Sequence, residues 1–254
     1  MHKHLMALAF LVATPALAQD APAPTQVLFV GNSYLYYNDS LHNHVLRLAR
    51  ESAGDPQPTY RFRSITISGG SLEHHPLDHY LTPGAVGYAE PFDLVILQGH
   101  SAAALSEARI ESFQAAVARA AEAVAAHGGQ LALYMTHAYA PGHAQHAPDN
   151  IDRIAALYTE TAEAHGALLL PVGLAFEEAA QRRPDLPLHV AFDHSHPNLE
   201  GSYLAAATLV AALYGRSPVG LDYDYYGALD ADTIAFLQQV AHDVVLGDGA
   251  AASN

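Results

Sequence analysis

The stretch Val27-Leu28-Phe29-Val30-Gly31-Asn32-Ser33-Tyr34 is the most informative about the fold class. Its first four residues form a short apolar run without a polar face, which is typical of a strand covered by helices on both sides. Gly31 lets the backbone turn sharply, and Ser33 then stands where a helix can begin. A strand that leads directly through a turn into a helix is the repeating unit of α/β folds.

Similar short apolar runs recur downstream and alternate with segments of helical spacing. The predicted strands are 27–30, 62–67, 94–97, 131–135 and 168–172. The predicted helices are 41–53, 105–127, 150–165, 198–214 and 230–246. This alternation predicts the α/β class, as a three-layer α/β/α sandwich with a mainly parallel five-stranded sheet in which every strand is apolar on both faces. The His-, Pro- and Gly-rich segment 137–149 is predicted to be a loop.

Composition narrows the possible partners. The 254 residues carry a formal net charge of −15, with only 11 Lys and Arg. Nucleic acid and anionic membrane surfaces are bound largely through cationic side chains, so this charge argues against both. A small molecule or a carbohydrate is the expected partner. The chain contains no cysteine, which excludes thiol nucleophiles and thiolate metal sites.

The amino-terminal segment has the pattern of a signal peptide. Lys3 precedes an apolar run, and Ala16-Leu17-Ala18 supplies a small-x-small cleavage pattern. We expect a signal peptide at 1–18, a linker at 19–25, a single domain at 26–247 and a flexible tail at 248–254. The expected location is periplasmic or secreted.

Two segments carry residues suited to nucleophilic catalysis. Ser33 follows the first strand, and in open α/β sheets sites form at the carboxyl ends of strands. Asp193-His194-Ser195-His196-Pro197-Asn198 lies just before a predicted helix. A serine hydroxyl becomes reactive when an imidazole takes its proton and a carboxylate orients that imidazole. The alternatives are that Ser33 only caps a helix and that 193–198 is an ordinary surface loop.

Together these segments resemble the SGNH hydrolase superfamily, also called the GDSL esterase/lipase family. Residues 27–34 resemble its first block, with Asn32 where many members have Asp and Tyr34 where many have Leu. Residues 193–198 resemble its last block, D-x-x-H-P, and Gly201 with an Ala-rich helix follows. The resemblance implies a flavodoxin-like SGNH fold and a catalytic triad of Ser33, Asp193 and His196, with no metal and no cofactor.

The resemblance also implies an oxyanion hole. Its expected donors are the N–H of Ser33 and a glycine of Ile67-Ser68-Gly69-Gly70-Ser71, Gly69 first and Gly70 next; an ordinary Gly-Gly turn is the alternative. The third block usually supplies an Asn, but here the sequence is Leu97-Gln98-Gly99-His100-Ser101. It resembles a Q-G variant of carbohydrate acetylesterase-like branches. Gln98, His100 and Ser101 are each candidates for the missing donor.

Several other polar residues are candidates for substrate contact: Asn32 and Tyr34 beside the nucleophile, and His74 and His75 beyond Gly69. Tyr36 and Tyr37 are candidates for sugar stacking or for core packing. The 17 histidines raise a metal hypothesis. Neither the cluster near His75 nor that in 137–149 has a recognised metal-enzyme spacing, so no metal is expected.

These patterns predict an exported serine esterase. It would hydrolyse short acyl esters, acetyl first, on a carbohydrate. The alternative is a non-catalytic carbohydrate-binding or structural module that retains the fold.

Overall fold

The computed structural model describes residues 23–247. The predicted signal peptide (1–18), residues 19–22 of the predicted linker and the predicted tail (248–254) lie outside the described residues. Export therefore stays a prediction.

A five-stranded, entirely parallel sheet forms the centre of the fold. Its strands are β1 (Gln26–Gly31), β2 (Arg61–Thr66), β3 (Leu94–Gln98), β4 (Gln130–Tyr134) and β5 (Leu168–Leu170). The spatial order is β2-β1-β3-β4-β5. Because the order reverses between β1 and β3, a crevice forms outside the carboxyl ends of these two strands, which is where ligands bind in such sheets.

Helices cover both faces of the sheet. They are α1 (Ser33–Tyr36), α2 (Leu41–Ala53), α3 (Leu77–Leu81), α4 (Glu107–Ala126), α5 (Asn150–His165), α6 (Val172–Arg182), α7 (Leu199–Tyr214) and α8 (Ala231–Leu246), with a 3₁₀ turn at Leu72–His74. The predicted three-layer α/β/α sandwich with a flavodoxin-like strand order is thereby confirmed.

Alternate residues of each strand enter two separate cores. Phe29 and Ile96 belong to a core that includes residues of α2, α6, α7 and α8. Leu28 and Val95 point to the other face, into a core that includes residues of α4 and α5. Burial on both faces explains why the central strands are continuously apolar in sequence.

Two predicted strands differ from the observed ones. The prediction for 62–67 as a strand apolar on both faces is wrong, because β2 lies at the sheet edge and exposes Arg61 and Arg63. The predicted strand 168–172 ends at Leu170, since Pro171 caps a helix that begins at Val172. That helix, α6, was not predicted. The other predicted elements match within two residues, and 137–149 is a loop.

Helix α7 is buried almost all round. It packs against α2, α6 and α8 as well as β5, which explains its Ala- and Leu-rich sequence. Among residues 23–247, no helix combines the length and the apolar character that crossing a bilayer requires.

The central position of α7 generates a stability prediction. Leu209 is fully buried, so Leu209→Ala should lower the free energy of unfolding by about 2–5 kcal/mol through lost burial and a residual cavity. Val219→Ala is the control, since Val219 is 46% exposed and should change stability by less than about 0.5 kcal/mol. Urea unfolding measures both; an equal effect of the two substitutions would contradict this packing.

Candidate active site

The turn after β1 is fixed from behind by Gln98. Its side-chain oxygen accepts the Asn32 backbone N–H at 2.8 Å, and the side chain is buried. A Cβ on residue 31 would lie 2.9 Å from the Cβ of Gln98 and 2.9 Å from Leu35 Cδ1, so only glycine fits there. This packing holds Ser33, which is 8% exposed, at the first position of α1.

Asn32 connects this turn to the next loop. Its side-chain oxygen accepts the Tyr34 N–H at 3.1 Å, and its side-chain nitrogen donates to Gly70 O at 2.9 Å. Both ends of the amide are thus engaged within the protein. Asn32 is 3% exposed, and the expectation that it contacts substrate is corrected.

The 193–196 loop is organised by one carboxylate. Asp193 Oδ1 accepts the N–H groups of Ser195 (2.9 Å) and His196 (3.1 Å). His194 has a φ of 55°, a left-handed conformation that His tolerates better than most residues, and it lets the loop turn back. Burial raises the pKa of Asp193, but the two N–H bonds and the His196 imidazole outweigh it, so its pKa is lowered from the ordinary value. The carboxylate is therefore ionised at neutral pH.

Three side chains from the two segments form one hydrogen-bonded line. His196 Nδ1 lies 2.5 Å from Asp193 Oδ2, and His196 Nε2 lies 2.7 Å from Ser33 Oγ. Because an ionised carboxylate only accepts, Nδ1 carries the proton and Nε2 is free to accept the serine hydroxyl proton. The structure thus brings together all three residues of the predicted triad.

Aromatic rings hold the imidazole from two directions. The Tyr37 ring stacks on His196 at a centroid distance of 4.2 Å and an angle of 12°. Tyr34 meets His196 edge-on at 5.6 Å. Tyr37 is four residues after Ser33, which on a helical turn places both on the same side, and this spacing is the sequence pattern that could have identified its contact.

Tyr34 belongs to a buried support beneath the 193–196 loop. Its ring stacks on His137 at 4.4 Å, and its hydroxyl lies 2.8 Å from Ser195 Oγ. His137 also stacks on Phe176 at 4.2 Å and donates from Nε2 to Ser195 O at 2.9 Å. Burial, and then His189, hold the pKa of His137 well below its usual range, so it is neutral. Tyr34 is thus a buried support, which corrects its expected role in substrate contact.

The two predicted glycine donors differ in availability. Gly70 already donates its N–H to Ile67 O at 2.9 Å, so it is not free for an oxyanion, and that expectation is corrected. Gly69 occupies the third position of this turn with a φ of 65°, which the turn requires and glycine readily adopts. A role for the Gly69 N–H stays a prediction.

The segment after β3 contains three predicted oxyanion donors. One of them is fully hydrogen-bonded within the protein, and the other two remain candidates. The Gln98 amide bonds Asn32 N–H and Gly99 O, so its predicted role as an oxyanion donor is corrected. His100 Nδ1 accepts the Ala102 N–H at 3.0 Å, which leaves the proton on Nε2. Ser101 Oγ accepts from the Tyr139 hydroxyl at 2.9 Å, and a donor role for Ser101 stays a prediction.

The two neighbouring histidines occupy different environments. His75 is buried, donates from Nε2 to Gly31 O at 3.0 Å, and has its pKa lowered by burial. It supports the turn that carries Ser33 from behind, which corrects its expected contact with substrate. His74 is exposed, and its Nδ1 accepts the Ser71 N–H at 3.0 Å. Substrate contact by His74 stays a prediction.

Across residues 23–247, no group of three or more His, Asp or Glu side chains has a metal-binding arrangement.

Comparison with known proteins relates this geometry to a family of folds. No protein-family model and no curated protein matches the sequence. Solved structures do match. A protein of Slackia heliotrinireducens assigned to the SGNH hydrolases has 27% identity and a TM-score of 0.58, over 73% of this chain and 97% of that one.

Two further structures share the fold at lower identity. A DUF4886 family protein from Bacteroides uniformis has a TM-score of 0.61 and 21% identity, over 87% of this chain and 94% of its own. An acetylxylan esterase from Geobacillus stearothermophilus has a TM-score of 0.53 and 18% identity, over 74% and 94% respectively.

The contact between Gln98 and Asn32 generates a prediction about Ser33. Gln98→Leu leaves the buried Asn32 N–H without its acceptor, so it should lower the free energy of unfolding by about 1–3 kcal/mol and slow labelling of Ser33 by a fluorophosphonate. Gln181→Leu, on the exposed side of α6, is the control. Mass spectrometry of the labelled peptide gives the rate; labelling at the normal rate in Gln98→Leu would show that this bond does not position Ser33.

Proposed function

We propose that this chain is a serine esterase that removes short acyl groups, preferentially acetyl, from a carbohydrate. The chain belongs to the SGNH hydrolase superfamily. The observation that carries the proposal is the unbroken line of hydrogen bonds from Ser33 through His196 to Asp193. A base hydrogen-bonded to the serine and oriented by a carboxylate is sufficient to activate the hydroxyl at neutral pH.

In the proposed reaction, Ser33 Oγ attacks the ester carbonyl carbon while its proton passes to His196 Nε2. Asp193 stabilises the resulting imidazolium through the Nδ1–H bond. The tetrahedral intermediate collapses, the ester C–O bond breaks, and His196 donates its proton to the departing alcohol oxygen. Water then attacks the acyl-Ser33 by the same proton route, which releases the acid and restores the serine.

The negative oxygen of the intermediate requires hydrogen-bond donors. We assign two of them to the N–H groups of Ser33 and Gly69. We assign the third to the His100–Ser101 segment, in which the His100 Nε2–H and the Ser101 hydroxyl are the candidate donors. A missing donor of this kind typically costs about 100- to 1000-fold in kcat, so a substitute for the usual Asn is required.

Three observations support the substrate class. The acetylxylan esterase from Geobacillus stearothermophilus shares the fold. The net charge of −15 favours a neutral substrate over nucleic acid or anionic lipid. The pattern of residues 1–18 favours export, where polysaccharides are met.

The nucleophile assignment is tested with p-nitrophenyl acetate. Ser33→Ala should lower kcat by about 10,000-fold or more, because it removes the attacking atom. Ser52→Ala, on α2, is the matched control and should retain full activity. EDTA should have no effect. Equal rates from Ser33→Ala and the unaltered protein would support the non-catalytic module instead, and loss of activity with EDTA would support a metal hydrolase.

The stacking of Tyr37 on His196 predicts a second effect. A ring face stabilises the imidazolium that forms in each transition state by about 1–2 kcal/mol, so Tyr37→Leu should lower kcat by about 5- to 30-fold with little change in KM. Tyr37→Phe keeps the ring and should retain nearly full kcat. Equal losses in the two variants would assign the effect to the hydroxyl and contradict the role of the ring.

A further inference from the structure

A second concave surface lies beside helix α2, outside the site described above. It has a volume of about 450 Å³ and lies between α2 and the loop 222–226. We call it the tyrosine groove. The lining residues that matter here are Arg47, Arg50, Gln57, Tyr223, Asp224 and Tyr226.

Tyr226 is displayed in an unusual way. Its side chain is 80% exposed, which is rare for a large aromatic side chain. Its backbone has a φ of 61°, and the preceding Tyr225 has a φ of 55°. Bulky residues seldom adopt this left-handed conformation, and such outliers concentrate at functional sites. An exposed ring gains nothing from the core that would offset this conformation.

The loop that carries Tyr226 is fixed on several sides. The Glu51 carboxylate accepts the N–H groups of Asp222 and Tyr223, the latter at 3.2 Å. The Tyr223 hydroxyl lies 3.0 Å from His44 Nδ1. The Tyr225 hydroxyl donates to the Asp39 carboxylate. These bonds fix the loop, so the exposed Tyr226 ring is held in a defined position.

Arginine side chains complete the groove. The Arg47 guanidinium lies 5.8 Å from the Tyr223 ring centroid and 5.6 Å from that of Tyr226, between the two rings. Within residues 23–247, neither Arg47 nor Arg50 forms an ion pair with a carboxylate. Their N–H groups, together with the Asp224 carboxylate, are available to a ligand.

We propose that the tyrosine groove is a non-catalytic saccharide-binding site. A pyranose or furanose ring has an apolar C–H face, which suits a flat exposed ring such as Tyr226, and a rim of hydroxyls, which suits the guanidinium, carboxylate and amide groups beside it. The neighbouring acidic side chains Asp222 and Asp224 make the groove unsuitable for a polyanion such as nucleic acid.

The groove connects to the triad through a short series of contacts. Tyr225 bonds Asp39, and the adjacent Asn38 donates to Pro197 O at 3.0 Å, next to His196. Asn38, Asp39 and Ser40 also have positive φ values, so two strained loops meet between the groove and the triad. One polysaccharide chain held in the groove would thereby raise the local concentration of its acyl esters at Ser33. This last step rests on the proposed esterase function, whereas binding in the groove does not.

The groove is tested by calorimetric titration of the Ser33→Ala protein, which cannot turn over substrate, with xylohexaose and cellohexaose. At least one hexasaccharide should bind, and adding Tyr226→Ala should raise its Kd about tenfold or more. Tyr88→Ala is the matched control, since Tyr88 also lies under an arginine, Arg63, but outside the groove. It should leave Kd within about twofold. Circular dichroism checks that each variant is folded.

The outcomes separate the groove from the esterase. In protein with an intact Ser33, Tyr226→Ala should leave kcat/KM for p-nitrophenyl acetate unchanged and lower the rate on acetylated xylan. Absence of binding by both hexasaccharides, or an equal Kd with and without Tyr226, overturns the groove. Loss of hexasaccharide binding after Ser33 is labelled with a fluorophosphonate also overturns it, because binding would then lie in the catalytic cleft. Saccharide binding without any esterase activity retains the groove and refutes the proposed function.

Discussion

The hydrogen bond from the Asn32 N–H to the Gln98 side chain is the contact on which the active-site geometry depends. It joins the ends of β1 and β3, the two strands between which the sheet order reverses. Residue 31 has no room for a side chain, so the turn cannot relax away from this bond. This bond therefore fixes the position of Ser33, and the parallel strands β1 and β3 make the two ends that it joins rigid. Gln98 thus supports the turn that carries Ser33 from behind.

His196 and Asp193 are held by a separate support. Asp193 fixes the backbone of its own loop with one oxygen and orients His196 with the other. Beneath the loop, the stacked rings of Tyr34, His137 and Phe176 fill the space between α1 and α6. The Tyr34 hydroxyl and His137 Nε2 form hydrogen bonds with Ser195. Ser33 and His196 therefore meet from two segments, each held by its own contacts. Preorganisation of this kind is what allows a serine hydroxyl to react without a rearrangement at the moment of attack.

The sequence predicts much of this structure because its central strands are continuously apolar and its helices have clear periodicity. It fails where local and tertiary effects compete. Arg61 and Arg63 are compatible with a strand only because β2 lies at an edge, and Pro171 ends β5 one residue after Leu170. In the site, the resemblance of two sequence blocks to a known family predicted Ser33, Asp193 and His196, which the fold brings together. Whether a polar side chain points toward the substrate or into the protein depends on its neighbours in the folded structure. Four predicted site residues are buried and support the site from within: Asn32, Tyr34, Gln98 and His75. Burial of a polar side chain leaves no trace in a single sequence.

The proposed reaction requires that Ser33 becomes covalently acylated. It is tested most directly by acid-quenching the enzyme during its first turnover of p-nitrophenyl acetate and locating the acetyl group by peptide mass spectrometry. Activated esters favour accumulation of the acyl-enzyme, because their alcohol departs readily. We expect one acetyl group per chain on Ser33. Hydrolysis without any acetyl on Ser33 during that turnover, or acetyl on a different side chain, would contradict it.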